Sequence, residues 1–196
     1  HEDDDPGTTW NERARTREPG KMSPRMAWRA ITSVLPKDAI ISSDIGNNCA
    51  IGNAYPTFEE GRKYLAPGLF GPCGYGFPAI CGAKIAQPDV PVVGFAGDGA
   101  FGISMNEMVS VGRDEWPPIT MIIFRNYQWG AEKRNTTLWF DDNFVGTELD
   151  TDVTYAGIAQ QCGVKGVQVD GMDALAEALD KACLLYTSDA ADECHS

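Results

Sequence analysis

The residues able to do chemistry are few and grouped. Gly97-Asp98-Gly99-Ala100-Phe101-Gly102 sets one carboxylate in a glycine-rich turn, and Arg125-Asn126, Gln128 and Gly130 follow the next apolar run. The first group matches a GxGxxG pattern after a strand and before a helix, as in a dinucleotide-binding Rossmann turn. Asp98 argues against that reading. It would put a carboxylate in the cradle meant for a pyrophosphate, a repulsive contact unless a cation lies between. The next strand also ends without the acidic residue that would hold a ribose, although Arg125 could serve a 2′-phosphate, so an NAD(P)-binding module stays open. A divalent cation removes the conflict. Mg²⁺ takes six oxygens and favours phosphate plus one or two protein carboxyl or amide oxygens. Asp98, the Asn126 amide oxygen, a main-chain carbonyl and two diphosphate oxygens would nearly fill that shell. The glycines let the backbone approach, and the helix start beyond Gly99 favours an anion.

Composition narrows the alternatives. The chain has 196 residues and only two histidines, His1 and His195, at its ends. A Ser-His-Asp triad, a Cys-His pair and HExxH zinc chemistry are therefore excluded within it. Any hard chemistry would fall to a cofactor or metal. Sixteen Lys and Arg against 28 Asp and Glu give a net charge of −12, which lacks the footprint for nucleic acid or an anionic membrane. No apolar run approaches the ~18 residues of a membrane span and no signal peptide is visible, so a cytoplasmic protein is expected. Cys49, Cys73, Cys81, Cys162, Cys183 and Cys194 form no CxxC pair and read as buried small hydrophobes in a reducing compartment.

These residues need elements to position them. Residues 1–20 are polar and read as a linker or the cut end of a preceding domain. Ser23-Pro24 reads as a helix start, Ala27, Ala30, Ile31 and Val34 as its apolar stripe, and Pro36 as its stop. Strands are expected at Ala39–Ser42, Val90–Ala96, Ile119–Phe124 and Val167–Val169. Helices are expected after the Gly71–Gly82 stretch, around Met105, Met108 and Val109, from Tyr155 to Cys162 with Gly163 closing, and from Met172 to Leu179. Continuous apolar strands alternating with helices predict an α/β doubly wound parallel sheet with helices on both faces. Ligands of such sheets bind at the carboxyl ends of the strands, where the special residues fall. Residues 183–196 break the pattern. They resemble a translated sequencing adapter and read as a non-native tail, leaving 21–182 as the domain.

The Gly-Asp-Gly turn with Asn126, Gln128 and Gly130 at this spacing resembles the cofactor motif of thiamine-diphosphate enzymes. The family usually has two consecutive asparagines, and here the first is Arg125. The resemblance implies thiamine diphosphate and Mg²⁺ as cofactors, with Asp98, Asn126 and the Gln128 carbonyl as metal ligands. Gly97, Gly99, Ala100 and Gly130 complete the motif. Gly71-Pro72-Cys73-Gly74-Tyr75-Gly76 resembles the turn that props the cofactor in its bent form, with Cys73 and Gly74 in contact. Ile45-Gly46-Asn47-Asn48 resembles the diphosphate loop, through Gly46, Asn47 and Asn48.

Three longer stretches, Ser43–Asn53, Asn126–Asn135 and Asp141–Leu149, are similar to the sulfoacetaldehyde acetyltransferase family, over its carboxy-terminal, diphosphate-binding domain. That family makes acetyl phosphate and sulfite from sulfoacetaldehyde and phosphate. An acetolactate synthase-like enzyme acting on a 2-keto acid is the alternative within the superfamily. The resemblance implies small-molecule substrates and a homodimer or homotetramer. No catalytic side chain is expected in this stretch, because the family's activating glutamate lies on another domain. Glu59, Glu60 and Glu107 do not match its motif and read as surface charge. Lys133, Arg134 and Arg125 are cations near the cofactor end, with Arg134 the preferred contact for an anionic substrate. Trp129, Trp139 and Phe140 read either as pocket lining or as packing.

Overall fold

The computed structural model describes residues 22, 24–56 and 63–182. Ser23, Glu59, Glu60, the leading stretch, the tail, Cys183 and Cys194 lie outside the described residues. Four parallel strands, β1 (Ile40–Ser43), β2 (Lys63–Leu65), β3 (Val92–Gly97) and β4 (Thr120–Phe124), form one sheet in the order β2-β1-β3-β4. Ile40 pairs with Val92 and Val93 with Thr120. The chain leaves β1 toward one edge and β3 toward the other, so the strand order reverses between them. A crevice opens at such a point, beyond the carboxyl ends of the strands.

Side-chain alternation sends each strand's residues to two cores. Ile41, Val93 and Phe95 pack with helices α1 (Pro24–Val34) and α8 (Met172–Lys181) through Trp28, Ile31, Leu175 and Leu179. Ile40, Val92 and Ala96 pack on the other face with Phe77, Ile80, Phe101, Met108 and Ala159. Those residues come from α3 (Gly76–Ala86), α4 (Asp98–Ser104), α5 (Met108–Val111) and α7 (Tyr155–Gln161). The sheet is thus doubly covered. Trp28 anchors α1, its ring centre 4.4 Å from that of Phe95 and 5.1 Å from that of Phe124. An indole of ~150–250 Å² buried at ~25 cal/mol per Å² contributes about 4–6 kcal/mol.

Two short elements complete the path. Helix α2 (Asn47–Gly52) follows β1, and α6 (Gly130–Trp139) follows β4 after a five-residue turn, 125–129. Pro24 is the first helical residue of α1, and Gly163, at φ 81°, ends α7 in the left-handed conformation that suits glycine.

Two expectations are corrected. Val167–Val169 forms no strand. Gly166 is pressed against α7, where an added Cβ would come within 2.4 Å of the Ala156 carbonyl oxygen. The Gly166 carbonyl accepts a hydrogen bond from Gln160 Nε2 at 2.8 Å. Val169 still packs on the α1/α8 core and Val164 on the opposite one, so burial is retained without a ladder. The cysteines are the second correction. Cys49, Cys73, Cys81 and Cys162 are free but half-buried, not buried. No helix among the described residues is long and apolar enough to cross a membrane.

Candidate functional site

Two carboxylates stand at the ends of the adjacent strands β1 and β3. Asp44 is completely buried and Asp98 is 3% exposed. Asp44 Oδ1 accepts from Ile45 N at 2.8 Å and Gly74 N at 3.1 Å, and its Oδ2 accepts from Gly76 N at 2.7 Å. It thereby pins the glycine-rich turn to the end of β1. Gly74 sits at φ 86° in the left-handed region, which favours glycine. Sequence reasoning included Asp44 in a motif without giving it this role.

Asp98 organises the other half. Its Oδ1 accepts from Gly99 N at 3.0 Å, and its Oδ2 from Asn126 N at 3.1 Å and Tyr127 N at 2.7 Å. The Asp98 main-chain oxygen accepts from Tyr155 Oη at 2.8 Å. Burial and the Asp98 charge together hold the Tyr155 hydroxyl above the usual phenol range, against the pull of Arg125. Tyr127 reaches Asp98 only by adopting φ 59°, a conformation costing a bulky residue about 1–2 kcal/mol.

Three oxygens converge here. Asn126 Oδ1 lies 2.9 Å from the Gln128 carbonyl oxygen and 3.1 Å from Asp98 Oδ1. It accepts one hydrogen bond, from Gln128 N at 3.3 Å. Acceptors this close repel unless a cation joins them or the amide turns over, when Nδ2 would donate to both. An octahedral Mg²⁺ with ligands at ~2.1 Å holds neighbouring oxygens ~3 Å apart. With the amide oxygen turned inward, the three groups are of the kind Mg²⁺ takes, and the two separations from Asn126, 2.9 and 3.1 Å, match that spacing.

The cradle beside them fits a polar group. Asn48 is 7% exposed, yet neither its Nδ2 nor its Oδ1 has a partner. Leaving a buried amide unpaired is costly, so a ligand polar group there would be stabilising. A Cβ on Gly130 would come within 2.8 Å of both Asn126 Nδ2 and Asn47 Nδ2, so only glycine leaves this corner open. A Cβ on Gly99 would come within 2.9 Å of the Trp129 ring, which packs flat over that glycine.

A cavity of about 1660 Å³ runs from Gly46, Asn47 and Asn48 past Cys73 and Gly97–Ala100 to Asn126, Gln128 and Gly130, and on behind β4. The sequence-predicted cofactor residues all line it except Gly74, which stands behind the turn on Asp44. Burial and the charges of Asp44 and Glu132 push the Cys73 thiol up, so it stays neutral at ordinary pH.

The candidate anion contacts fare differently. Arg134 is exposed on α6 and outside the cavity. Lys133 pairs with Glu148 at 2.5 Å. Arg125 donates to the main-chain oxygens of Thr151, at 3.1 Å, and Val153. Its guanidinium is thus engaged, not offered to a 2′-phosphate. Trp139 and Phe140 are 76% and 66% exposed and belong to neither pocket nor core. Glu107 lies in a turn after α4, bonded to Asn106.

A parallel sheet with its crevice at the strand reversal, lined by a buried carboxylate and an orphaned amide, defines a site for a diphosphate-bearing cofactor. The chain belongs to the family described as "Thiamine pyrophosphate enzyme, C-terminal TPP binding domain", which it matches over residues 44–191. It is 75% identical over 182 residues to the sulfoacetaldehyde acetyltransferase of Roseovarius nubinhibens, covering 93% of this chain and 30% of that protein. It is 75% identical over the same length to the sulfoacetaldehyde acetyltransferase of Rhodobacter capsulatus, covering 93% and 31%. The acetolactate synthase large subunit of Lactococcus lactis is 28% identical over 142 residues, 72% of this chain and 24% of that protein. The chain thus spans under a third of the length of these relatives.

Proposed function

We propose that this domain holds the diphosphate end of thiamine diphosphate through Mg²⁺, in a protein that converts sulfoacetaldehyde and phosphate to acetyl phosphate and sulfite. What supports the metal reading is the convergence of the Asp98 carboxylate and the Gln128 carbonyl oxygen on the Asn126 side-chain amide, 3.1 and 2.9 Å from one of its terminal atoms in either orientation of the amide. Asp98, Asn126 and Gln128 would hold the ion, and Asn47, Asn48 and the Gly130 corner would receive the diphosphate oxygens. The bound cofactor would supply a nucleophilic thiazolium carbon for the aldehyde carbonyl and a sink for the electron pair freed when the aldehyde C–H proton is lost; that pair would then expel sulfite, which takes the carbon–sulfur bonding electrons with it.

The chain's own part is binding and orientation. Asp98 is fixed by three N–H donors, so its free lone pair has one direction. Asp44 fixes the turn carrying Cys73, whose neutral thiol presents an unionised, polarisable face to the cavity. The identity of 75% to two sulfoacetaldehyde acetyltransferases, against 28% to an acetolactate synthase, supports the sulfonate substrate over a 2-keto acid. We place the protein in the cytoplasm as a homodimer or homotetramer, with its activating glutamate outside this domain.

Two measurements on the full-length protein test this. Asp98→Ala and Asn126→Ala should each remove most Mg²⁺-dependent thiamine-diphosphate binding in calorimetry, and unchanged affinity in both would sink the metal assignment. Sulfite and acetyl phosphate should form in equal amounts from sulfoacetaldehyde only with phosphate present. Turnover of pyruvate without sulfoacetaldehyde turnover would overturn the substrate and leave the cofactor reading.

A further inference from the structure

Arg125 occupies a place that its charge alone does not explain. It follows β4 directly and lines the same cavity, yet its guanidinium is bonded to main chain 26 and 28 residues further on. It donates to the Thr151 and Val153 carbonyls, and its central carbon lies 4.3 Å from the Tyr127 ring centre and 5.9 Å from that of Tyr155. Both tyrosines are bonded to Asp98, Tyr127 through its N–H to Oδ2 at 2.7 Å and Tyr155 through its hydroxyl to the main-chain oxygen at 2.8 Å. The contacts close a ring: Arg125 to Tyr127 to Asp98 to Tyr155 and back.

The ring also ties down the segment after α6. Trp129 N donates to Thr147 O at 2.8 Å and Leu149 N to Tyr127 O at 2.9 Å, while Gln128 bridges Glu148 antiparallel. Within residues 147–153 only Thr147 is buried. Main-chain bonds and the guanidinium therefore hold the segment, with little apolar packing to help.

We propose that Arg125 is a positioning residue, a planar clamp that holds Tyr127 in its left-handed conformation and keeps Asp98 aimed at Asn126 Oδ1. This rests on the reading of Asp98 as a metal ligand. A guanidinium offers a flat face to two rings and in-plane donors to two carbonyls, whereas lysine offers a point charge. The clamp touches neither metal nor cofactor, so its loss should weaken metal binding without abolishing it.

The test uses the full-length protein with Arg125→Ala, Arg125→Lys, Tyr155→Phe and Asp98→Ala. The readouts are Mg²⁺ titration by tryptophan fluorescence with thiamine diphosphate present, melting temperature, and hydrogen exchange at the Tyr127 and Leu149 amides. Arg125→Ala and Arg125→Lys should raise the Mg²⁺ concentration for half-saturation about tenfold, and Tyr155→Phe several-fold. Both amides should lose protection in the arginine variants, and kcat should recover at saturating Mg²⁺. If Arg125→Ala does not fold, Arg125→Lys and Tyr155→Phe carry the test. Parental Mg²⁺ affinity in the folded arginine variants, with Asp98→Ala defective, overturns the clamp and leaves the metal site standing. Parental affinity in Asp98→Ala overturns both readings. A fall in melting temperature with unchanged Mg²⁺ affinity marks Arg125 as structural only and also overturns the clamp.

Discussion

Replacing Asp44 removes a carboxylate that accepts three main-chain N–H bonds, from Ile45, Gly74 and Gly76, at 2.7–3.1 Å. A hydrogen bond to a charged group contributes ~1.5–3 kcal/mol. The three are not additive, because water entering the gap would recover part of the loss. Asp44→Ala leaves three N–H groups without their acceptor at ~1–3 kcal/mol each, and with that partial recovery we expect a loss of about 3–5 kcal/mol. Asp44→Asn keeps one acceptor oxygen, which can serve Ile45 and Gly74. Its amide nitrogen then faces the Gly76 N–H, donor against donor, for a loss of about 2 kcal/mol. Against a domain stability of ~5–15 kcal/mol, the alanine variant approaches the edge of folding. Urea unfolding of the full-length protein, followed by circular dichroism, should rank wild type above Asp44→Asn above Asp44→Ala. Hydrogen exchange at the Gly74 and Gly76 amides should speed up in the same order. An alanine variant within about 1 kcal/mol of wild type, with both amides still protected, would show that the turn holds itself and that the carboxylate is dispensable.

Two further outcomes follow from particular contacts. In Gly99→Ala the new Cβ would stand 2.9 Å from the Trp129 ring, so the indole must move. We expect an overpacking loss of ~1–3 kcal/mol, seen as a lower melting temperature with a shifted tryptophan emission, and an unmoved spectrum would refute the contact. Lys84 is buried, with Nζ donating to Val90 O at 3.0 Å, and burial lowers its pKa from the ordinary 10.5 despite the opposing pull of Asp89. The cost of burying the charge is fully present below the folded pKa and lifts as pH rises toward 10.5, where the unfolded chain also loses its proton. The stability of Lys84→Met relative to wild type should therefore be most favourable at neutral pH and fall as pH is raised to about 10, in paired urea titrations. A gap that widens with pH would contradict the sign.

What the sequence made legible follows from which forces are local. Strands β3 and β4 are largely apolar runs, and β1 begins as one at Ile40-Ile41 before two buried serines, so the apolar pattern identifies them. Lys63-Tyr64-Leu65 is no such run. It is a strand because β1 offers a free edge, and Tyr64 is held there by a bond to Asn53, its hydroxyl pushed up to about 12 mainly by burial. Val167–Val169 failed in the opposite way: it has the apolar residues, but Gln160 ties the Gly166 carbonyl just before it to α7, and Val167 is left 73% exposed. In the site, placement after strands pointed to Asp98 and Asn126, while Gln128 and Gly130 came from the family resemblance; all four line one cavity. Tyr155 could not be found so, because its hydroxyl meets Asp98 from 57 residues away. Asp44 left a signal: a lone carboxylate ending an apolar strand, directly before Ile45-Gly46. Arg134 was chosen for its charge, but charge does not say which way a helix turns its side chains.

The two buried acids show how one residue type serves two ends. Each stands where a parallel strand stops and each accepts three main-chain N–H bonds. A carboxylate has about four lone-pair positions, so each has roughly one left. What faces that last position decides the role. Asp44 is closed in by Gly76, whose added Cβ would stand 3.0 Å from its side chain, and its binding capacity is spent on the turn. In Asp98 the distribution is reversed. Oδ2 takes two of the donors and Oδ1 only Gly99, so the less occupied oxygen is the one 3.1 Å from Asn126 Oδ1. One acid therefore fastens backbone to backbone. The other, fastened by the same kind of bonds, presents a fixed oxygen to its neighbours, the place where the proposed cation would answer the remaining charge.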